Sequence, residues 1–301
     1  MTTKTKPSYY GVYFWVATIS FIVPLFVAAK AFQEVPVSTK PEPHPDASGV
    51  DHNLWDYLLK TYVDNGRVDY DGMKRDYLFR EYIQQLGRCD IAKLTTTADR
   101  LALLINGYNA FVINGVITHK IYDSVNSYQA NGTEFFDISE HILAGRTMSL
   151  NHIENDIIRK GFAEPRIHVA LVCAARSCPA IRPEAFIGSR LGSQLEDQSR
   201  LFANNPSYVM FDSKTNKLRL SQILSWYGGD WKNEGGYLAW LEEHAADPKL
   251  KQAIAAASQG SVEADWFEYD WKLNSQREPG EAPPKKAGGK QKAGSGSVPN
   301  E

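Results

Sequence analysis

The chain has 301 residues, a formal net charge of −2 and an aromatic content of 12%. Its lysines and arginines are scattered, so it lacks the basic surface that phosphate binding needs, and its composition excludes a nucleic-acid-binding protein. The ordinary apolar fraction of 43% indicates a globular protein with room for one sizeable core.

The N-terminal residues predict a membrane segment. Residues 9–29 carry no charge and follow Lys4 and Lys6, a pattern that places the N-terminus in the cytoplasm. Residues 29–31 read A-K-A, which a signal peptidase accepts, although the apolar run is longer than a signal-peptide core. We therefore expect residues 1–31 to be a signal anchor or a signal peptide. The domain would then face the periplasm or exterior from the inner membrane, or be exported if the signal is cleaved.

Two stretches of biased composition bound the globular region. Residues 32–50 are rich in proline and predict a semi-extended linker. Residues 277–301 contain no aromatic residue and no Leu, Ile or Phe, so they cannot offset the entropy of ordering by burial. We expect a disordered tail there and a single domain over residues 51–276.

Helical spacing of apolar residues dominates this domain. The predicted helices are Leu54 to Tyr62, Gly72 to Leu86, Asp99 to Lys120, Ser149 to Lys160, Pro183 to Asn204, Leu220 to Tyr227, Glu234 to Ala245 and Pro248 to Ala257. The predicted strands are Arg166 to Val172, Tyr208 to Asp212, Lys217 to Leu220 and Trp266 to Trp271. The pattern is typical of a mainly helical α+β fold with a small β-sheet.

The longest predicted helix begins with Thr96 and Asp99 in a capping-box relation, and it places two amides on its apolar side. Asn106 and Asn109 are three residues apart and so share one helix face. Burying unpaired amides costs about 1 to 3 kcal/mol per group, so partners must lie nearby. The two asparagines either bond the backbone of an irregular loop or orient a catalytic group, including by donating to an oxyanion.

The segment RIHVALVCAARSCPAIRP, residues 166–183, carries a histidine and two cysteines. On a regular strand His168 and Cys173 point to opposite faces, whereas the loop before Cys178 can return that thiol to the imidazole. Arg176 and Arg182 lie nearby in the sequence and favour a thiolate. Cys178 is thus the predicted nucleophile and His168 its base.

A disulfide between Cys173 and Cys178 is the competing interpretation. The C-x4-C pair closes a short loop, and in an oxidising compartment such thiols tend to pair, which would contribute about 2 kcal/mol. Cys89 stands alone and has no expected role. The chain has no H-E-x-x-H or C-x2-C motif, and His152 and Glu154 diverge on a helix, so we expect no metal and no cofactor.

Aromatic and basic side chains supply candidate binding residues. The run WYGGDW, residues 226–231, predicts aromatic faces beside a glycine turn, which either stack on a ligand or pack in the core. The complete set of candidate binding residues is Tyr108, Arg176, Arg182, Trp226, Tyr227 and Trp231.

Five blocks of this sequence resemble the domain-of-unknown-function family numbered 547 (DUF547). They are INGYNAFVINGVI (105–117), MSLNHIENDIIR (148–159), RIHVALVCAARSCPAIRPEAF (166–186), LRLSQILSWYGGDW (218–231) and WFEYDWKLN (266–274). The resemblance spans nearly all of residues 51–276 and implies an intact, usually exported domain with no agreed reaction. The family block that usually reads I-E-H is Ile153-Glu154-Asn155 here.

Two hypotheses of different classes follow. In one, the domain is a binding or structural module of the cell envelope, stapled by a Cys173-Cys178 disulfide, and its partner is an envelope protein or cell-wall component. In the other, by analogy with papain and transglutaminase, it is a thiol hydrolase or acyl transferase. Cys178 would then attack a carbonyl with His168 as base, Asn106 or Asn109 as orienting or oxyanion group, and Glu154 as a further orienting carboxylate.

Overall fold

A computed structural model describes residues 41–277 of the chain. The predicted membrane segment, and the parts of the predicted linker and tail beyond these limits, lie outside the described residues. Helices and small sheets are mixed within them, as the predicted α+β class requires.

The described residues form eight α-helices and nine short strands. The helices are α1 (His52–Tyr62), α2 (Tyr70–Arg75), α3 (Tyr77–Arg88), α4 (Thr97–His119), α5 (Leu191–Ala203), α6 (Gln222–Tyr227), α7 (Tyr237–His244) and α8 (Pro248–Ser258). The strands are β1 (Val63–Asp64), β2 (Arg67–Val68), β3 (Gln129–Ala130), β4 (Thr133–Glu134), β5 (His141–Leu143), β6 (Arg146–Met148), β7 (Val209–Asp212), β8 (Lys217–Leu220) and β9 (Glu263–Trp266).

The sheets are small and mostly hairpins. The pairs β1-β2, β3-β4 and β5-β6 are antiparallel, and the only three-stranded sheet of the described region has the order β7-β8-β9. Strand β8 is antiparallel to β7 and parallel to β9, with Leu218 opposite Ala264. Strands β7 and β8 agree with the predicted strands Tyr208 to Asp212 and Lys217 to Leu220.

Helix α4 is the centre of the larger of two hydrophobic cores. Most of its side chains are buried, as those of a core helix should be. By length and composition it is the one described helix that could cross a membrane, and 83% of its apolar window is buried inside the domain. Its N-cap is the predicted one, since Thr96 Oγ1 accepts the Asp99 N–H at 3.0 Å. The second core lies around β7, β8, α7 and α8.

Several predicted helices differ from the structure in type or extent. The prediction over Gly72 to Leu86 is two helices, because Asp76 is extended and caps α3 by accepting the Leu78 N–H at 3.0 Å. The predicted helix from Pro183 forms only from Leu191, after a 3₁₀ turn. The predicted helix over Ser149 to Lys160 contains a π-helix, His152–Arg159, a rare form that often marks functional sites.

The predicted strand Arg166 to Val172 is wrong. Pro165–Val169 form a 3₁₀-helix, with Pro165 at its first turn and the Glu164 carboxylate capping the Arg166 N–H at 3.2 Å. The last predicted strand is also displaced, because pairing with β8 ends at Trp266. Residues 267–277 then continue as an irregular segment that packs against the cysteine loop.

A candidate active-site cavity

A cavity of about 280 Å³ collects the chemistry-bearing side chains of the domain. Its walls are largely aromatic and include Tyr108, Phe136, Trp226, Tyr227, Tyr269 and Trp271. Its polar lining groups are Asn151, Glu154, His168, Cys173 and Cys178. An aromatic cleft with a few converging polar groups is the usual form of a small-molecule site.

The loop that carries the cysteines is fastened from one side by helix α4. Asn109 donates from Nδ2 to the Ala170 carbonyl at 3.0 Å, and its Oδ1 accepts the Val172 N–H at 3.0 Å. Both backbone groups are buried, so the amide supplies bonds that the irregular chain cannot make for itself. Asn109 therefore holds the loop immediately before Cys173, and its amide is occupied by backbone.

The C-terminal segment fastens the same loop from the other side. The Arg176 N–H donates to the Lys272 carbonyl at 2.8 Å, and the Asn274 N–H donates to the Ala174 carbonyl at 2.9 Å. Ala174 has a φ of +60°, a left-handed conformation that costs a non-glycine residue about 1 to 2 kcal/mol. Contacts on both sides hold this conformation next to a thiol, which is where backbone strain commonly accompanies function.

The two thiols of the loop differ in environment. Cys173 is partly exposed, and its Sγ lies 3.0 Å from the Tyr269 hydroxyl oxygen. Hydrogen bonds from the Cys178 thiol, and then from the Tyr269 hydroxyl and the Ala175 N–H, lower the pKa of Cys173 although burial opposes them. Burial, followed by the hydrogen bond and charge of Cys173, raises the pKa of Cys178 well above its usual range. Cys173 is thus the readily ionised thiol and Cys178 its hydrogen-bond donor.

This arrangement of the two cysteines differs from the predicted one. The predicted nucleophile Cys178 is buried, and its Sγ accepts the Cys173 N–H at 2.9 Å. The imidazole predicted to meet it bonds elsewhere, since His168 Nε2 pairs with Asp230. Both cysteines are free thiols in the structure, so they are held together by hydrogen bonds and the predicted disulfide is not formed there.

His168 is oriented by a carboxylate that the sequence did not single out. Its Nε2 lies 2.8 Å from Asp230 Oδ2, and its ring stacks on Tyr227 at a centroid distance of 4.0 Å. Burial lowers the pKa of His168 despite Asp230, so the ring is neutral at neutral pH. Because the carboxylate can only accept, Nε2 carries the proton and Nδ1 remains an acceptor, as a general base requires.

Arg159 completes this group from the π-helix. Its Nε and Nη2 donate to the two oxygens of Asp230 at 2.8 and 2.9 Å, a bidentate pair. Hydrogen bonding by Arg159, and then by His168, lowers the pKa of Asp230 against the effect of burial. Asp230 is therefore an ionised carboxylate held in one geometry, and it fixes the orientation of His168.

Glu154 is a buried carboxylate in the cavity wall, with 8% of its surface exposed. Its Oε2 accepts the Tyr108 hydroxyl at 2.7 Å, and it also accepts a hydrogen bond from Tyr227. Burial, then the Glu154 charge, raises the pKa of both tyrosines, so they remain protonated donors. The predicted binding residues Tyr108 and Tyr227 and the predicted catalytic Glu154 therefore form one cluster.

Three aromatic rings form the rim of the cavity. Trp226 lies 4.8 Å from Tyr269 and 5.9 Å from Trp271, measured between ring centroids, and its surface is 47% exposed. Trp231, predicted with Trp226 as a binding residue, is fully buried and packs against Trp240 at 5.2 Å. The core alternative therefore applies to Trp231, whereas Trp226 is available to a ligand.

Besides Asn109 and Trp231, three more predicted site residues lie outside the cavity lining. Asn106 donates to the Phe186 carbonyl at 2.8 Å and accepts its N–H at 2.9 Å, which is the structural alternative for this amide. Arg182 pairs with Glu184 and, at 3.2 Å, with Asp197 around a separate surface cavity. Arg176 bonds the C-terminal segment through its backbone.

Sequence reasoning missed Tyr269, Trp271 and Asp230 as site residues. All three lie in the aromatic runs WFEYDW (266–271) and WYGGDW (226–231). Their polar members, the tyrosine hydroxyl and the aspartate, were the available signal. Their partners are 96 residues away for Tyr269 and 62 residues away for Asp230, a distance that no local pattern can indicate.

Comparison with known proteins confirms the resemblance. Residues 91–203 match the family model described as "Protein of unknown function, DUF547". The match contains α4, Glu154, His168 and both loop cysteines, while Asp230, Tyr269 and the aromatic rim lie beyond it. No curated protein and no solved structure matches the chain.

Proposed function

We propose that this domain, whose residues 91–203 match the DUF547 family of unknown function, is a thiol-dependent hydrolase or acyl transferase with Cys173 as its nucleophile. One observation carries the proposal. A single cavity is lined by a thiol of lowered pKa and by a neutral histidine whose far nitrogen is held by the partly exposed carboxylate of Asp230. Nucleophile, base and orienting group are the parts that thiol acyl transfer needs.

The proposed reaction has two steps. His168 Nδ1 takes the Cys173 proton, the sulfur bonds to the carbonyl carbon of an ester or amide, and the leaving group departs with the proton returned by His168. Water or another acceptor then loses a proton to His168 and attacks the thioester carbonyl, and the carbon–sulfur bond breaks as His168 returns that proton to the sulfur, which restores the thiol. Asp230 stabilises the imidazolium formed in each step, and Cys178 is a positioning residue that donates to the Cys173 sulfur.

An acylation experiment tests this proposal. The full-length chain in a non-ionic detergent is treated with p-nitrophenyl acetate, and the release of nitrophenol and the mass of the protein are followed. We expect a stoichiometric burst and one acetyl group on the peptide that contains Cys173. Cys173→Ala should abolish the burst, and His168→Ala should slow acylation by about 10² to 10⁴, the usual contribution of a general base.

Cys89→Ala is the matched control, because Cys89 is a buried thiol that does not line the cavity. It should acylate as the wild type does. A Cys173→Ala protein that keeps its fold and its burst, or an acetyl group found on Cys178, contradicts the proposal.

A second candidate, the stapled binding module, is favoured by the direct contact of the two loop thiols. Loss of one proton from each sulfur and of two electrons to a disulfide oxidant would join Cys173 to Cys178. Thiol counting on the denatured protein, purified without reductant, separates the candidates. Three reactive thiols support the enzyme and one supports the module, which would then bind an envelope protein or cell-wall component through its aromatic rim.

The proposal extends to location. The uncharged run at residues 9–29, preceded by Lys4 and Lys6, supports a domain held at the outer face of the inner membrane, or exported after cleavage. A reporter that is active only outside the cytoplasm, fused after residue 50, should be active. N-terminal sequencing of the mature protein separates the anchor from the cleaved signal. An inactive reporter at this position, together with activity of a second reporter that works only in the cytoplasm, contradicts both.

A further inference from the structure

We propose that the ligand of this cavity carries a primary alkylammonium group, which binds Glu154 at the inner wall while its chain lies against the aromatic rim. The inference rests on the proposed function, because it assigns the substrate class of the same cavity. It is carried by the charge of the lining, the bonding of Glu154 and the composition of the rim.

The lining of the cavity has the wrong charge for an anion. Among the described residues that line it there is one carboxylate, Glu154, and no lysine or arginine. Ionisation of Cys173 adds a second negative charge. The nearest basic group on the same helix is Arg159, whose guanidinium is engaged with Asp230 at 2.8 and 2.9 Å and with Asn155 at 2.7 Å. Phosphate and carboxylate ligands would therefore meet negative charge that Arg159 offsets only in part.

Glu154 is a buried carboxylate that forms no ion pair with a lysine or arginine of the described residues, although Arg159 lies close enough to interact with its charge. The donors that reach it are the uncharged hydroxyls of Tyr108 and Tyr227. A carboxylate has about four lone-pair sites, so two hydroxyls leave it able to accept from a ligand. Burying a charge is costly unless a countercharge is present, and an ammonium group would supply both the countercharge and the remaining donors.

The rim suits the same ligand. Trp226, Tyr269 and Trp271 present aromatic faces within 4.7 to 5.9 Å of one another. Such faces attract ammonium groups through the ring quadrupole and also cover the methylene groups of an alkyl chain. A free amine, a lysine side chain and a peptide N-terminus all carry this chemistry.

A competition between ligands of equal length tests the inference. Full-length protein in non-ionic detergent is titrated at pH 7.5 with n-butylammonium, n-butanol and butyrate, and tryptophan fluorescence and calorimetry report binding. We expect n-butylammonium to bind at least about tenfold more tightly than butyrate, a difference of about 1.4 kcal/mol. Nα-acetyl-lysine methylamide and an N-terminally free dipeptide amide then distinguish a side-chain source from a chain-terminal one.

Glu154→Gln should remove this preference while preserving the hydrogen bonds from the tyrosines. The matched control is Asp156→Asn, because Asp156 lies two residues away on the same π-helix with its side chain 45% exposed. It should leave the preference intact. Trp226→Ala, at an exposed rim position, should weaken butylammonium binding about two- to fivefold and does not depend on refolding of the buried carboxylate site.

The outcomes separate this inference from the proposed function. Equal binding of butylammonium and butyrate, or an unchanged preference in a folded Glu154→Gln protein, overturns the inference even if Cys173 is acylated. A further outcome is that the wild-type protein is never acylated at Cys173 while the ammonium preference persists both there and in Cys173→Ser. That result supports the inference and contradicts the enzyme.

Discussion

Two loops of this domain are held by the same device and serve different ends. Asn106 forms hydrogen bonds of 2.8 and 2.9 Å with the backbone of Phe186. Asn109, one turn further along α4, forms hydrogen bonds of 3.0 Å each with the backbone of Ala170 and Val172. The first loop leads to α5, whereas the second leads at once to Cys173. In both places a buried amide bonds irregular backbone. The two loops differ in the residues that follow, because only the second loop contains the two cysteines.

Asn109→Ala should have the largest effect, because it disrupts both the fold and the site. It leaves the Ala170 carbonyl and the Val172 N–H buried without their partner, and each such loss costs about 1 to 3 kcal/mol, or about 2 to 6 kcal/mol in all. Urea denaturation measures the free energy of unfolding. Alkylation of Cys173 by iodoacetamide, corrected for the folded fraction, should also slow, because the loop no longer holds the thiol against Tyr269. Unchanged alkylation would mean that the C-terminal segment alone positions the loop.

Asn106→Ala should match that loss of stability without the loss of reactivity. It leaves both backbone groups of Phe186 unpaired, so the free energy of unfolding should again fall by about 2 to 6 kcal/mol. The Cys173 alkylation rate per folded molecule should equal that of the wild type. A slowed rate would show that the two loops are coupled through α4, and the contrast drawn between them would not hold.

The contrast also marks how far the sequence could be read. Helix α4, its Thr96 cap and its inward amides were predicted, because each depends on residues within a few positions of one another. The conformation of the segment around His168 was not predicted, because Asn109 bonds the Ala170 carbonyl of this segment from 61 residues away. The apolar run was consistent with a strand until that long-range partner and Pro165 fixed a 3₁₀-helix.

The roles of the cysteines depended on information of the same long-range kind. The sequence placed Cys173 and Cys178 correctly in one loop, but it gave no measure of which sulfur is buried. Nor could it indicate that the Tyr269 hydroxyl, 96 residues beyond Cys173, lies 3.0 Å from the Cys173 sulfur. Spacing identified the pair, and packing distinguishes the two sulfurs.

Tyr269→Phe should have the smallest effect and separates holding the loop from tuning its thiol. It keeps the hydrogen bonds of both amides and the ring contacts of the rim, and removes only the hydroxyl that lies 3.0 Å from Cys173 Sγ. Because that hydrogen bond lowers the pKa of Cys173, its loss should raise the pKa. The rate of Cys173 alkylation against pH should therefore have its midpoint at higher pH in the variant than in the wild type.

The two proteins should react alike at a pH above both midpoints, where the thiolate is fully formed in each, and their relative rates should differ most at a pH below both midpoints. Tyr237→Phe, a ring of the second core, is the matched control and should leave the midpoint unchanged. Coincident profiles for Tyr269→Phe and the wild type would assign the low pKa of Cys173 to the Cys178 thiol and the Ala175 N–H alone. The C-terminal segment would then hold the cysteine loop through its backbone hydrogen bonds without changing the pKa of the thiol through Tyr269.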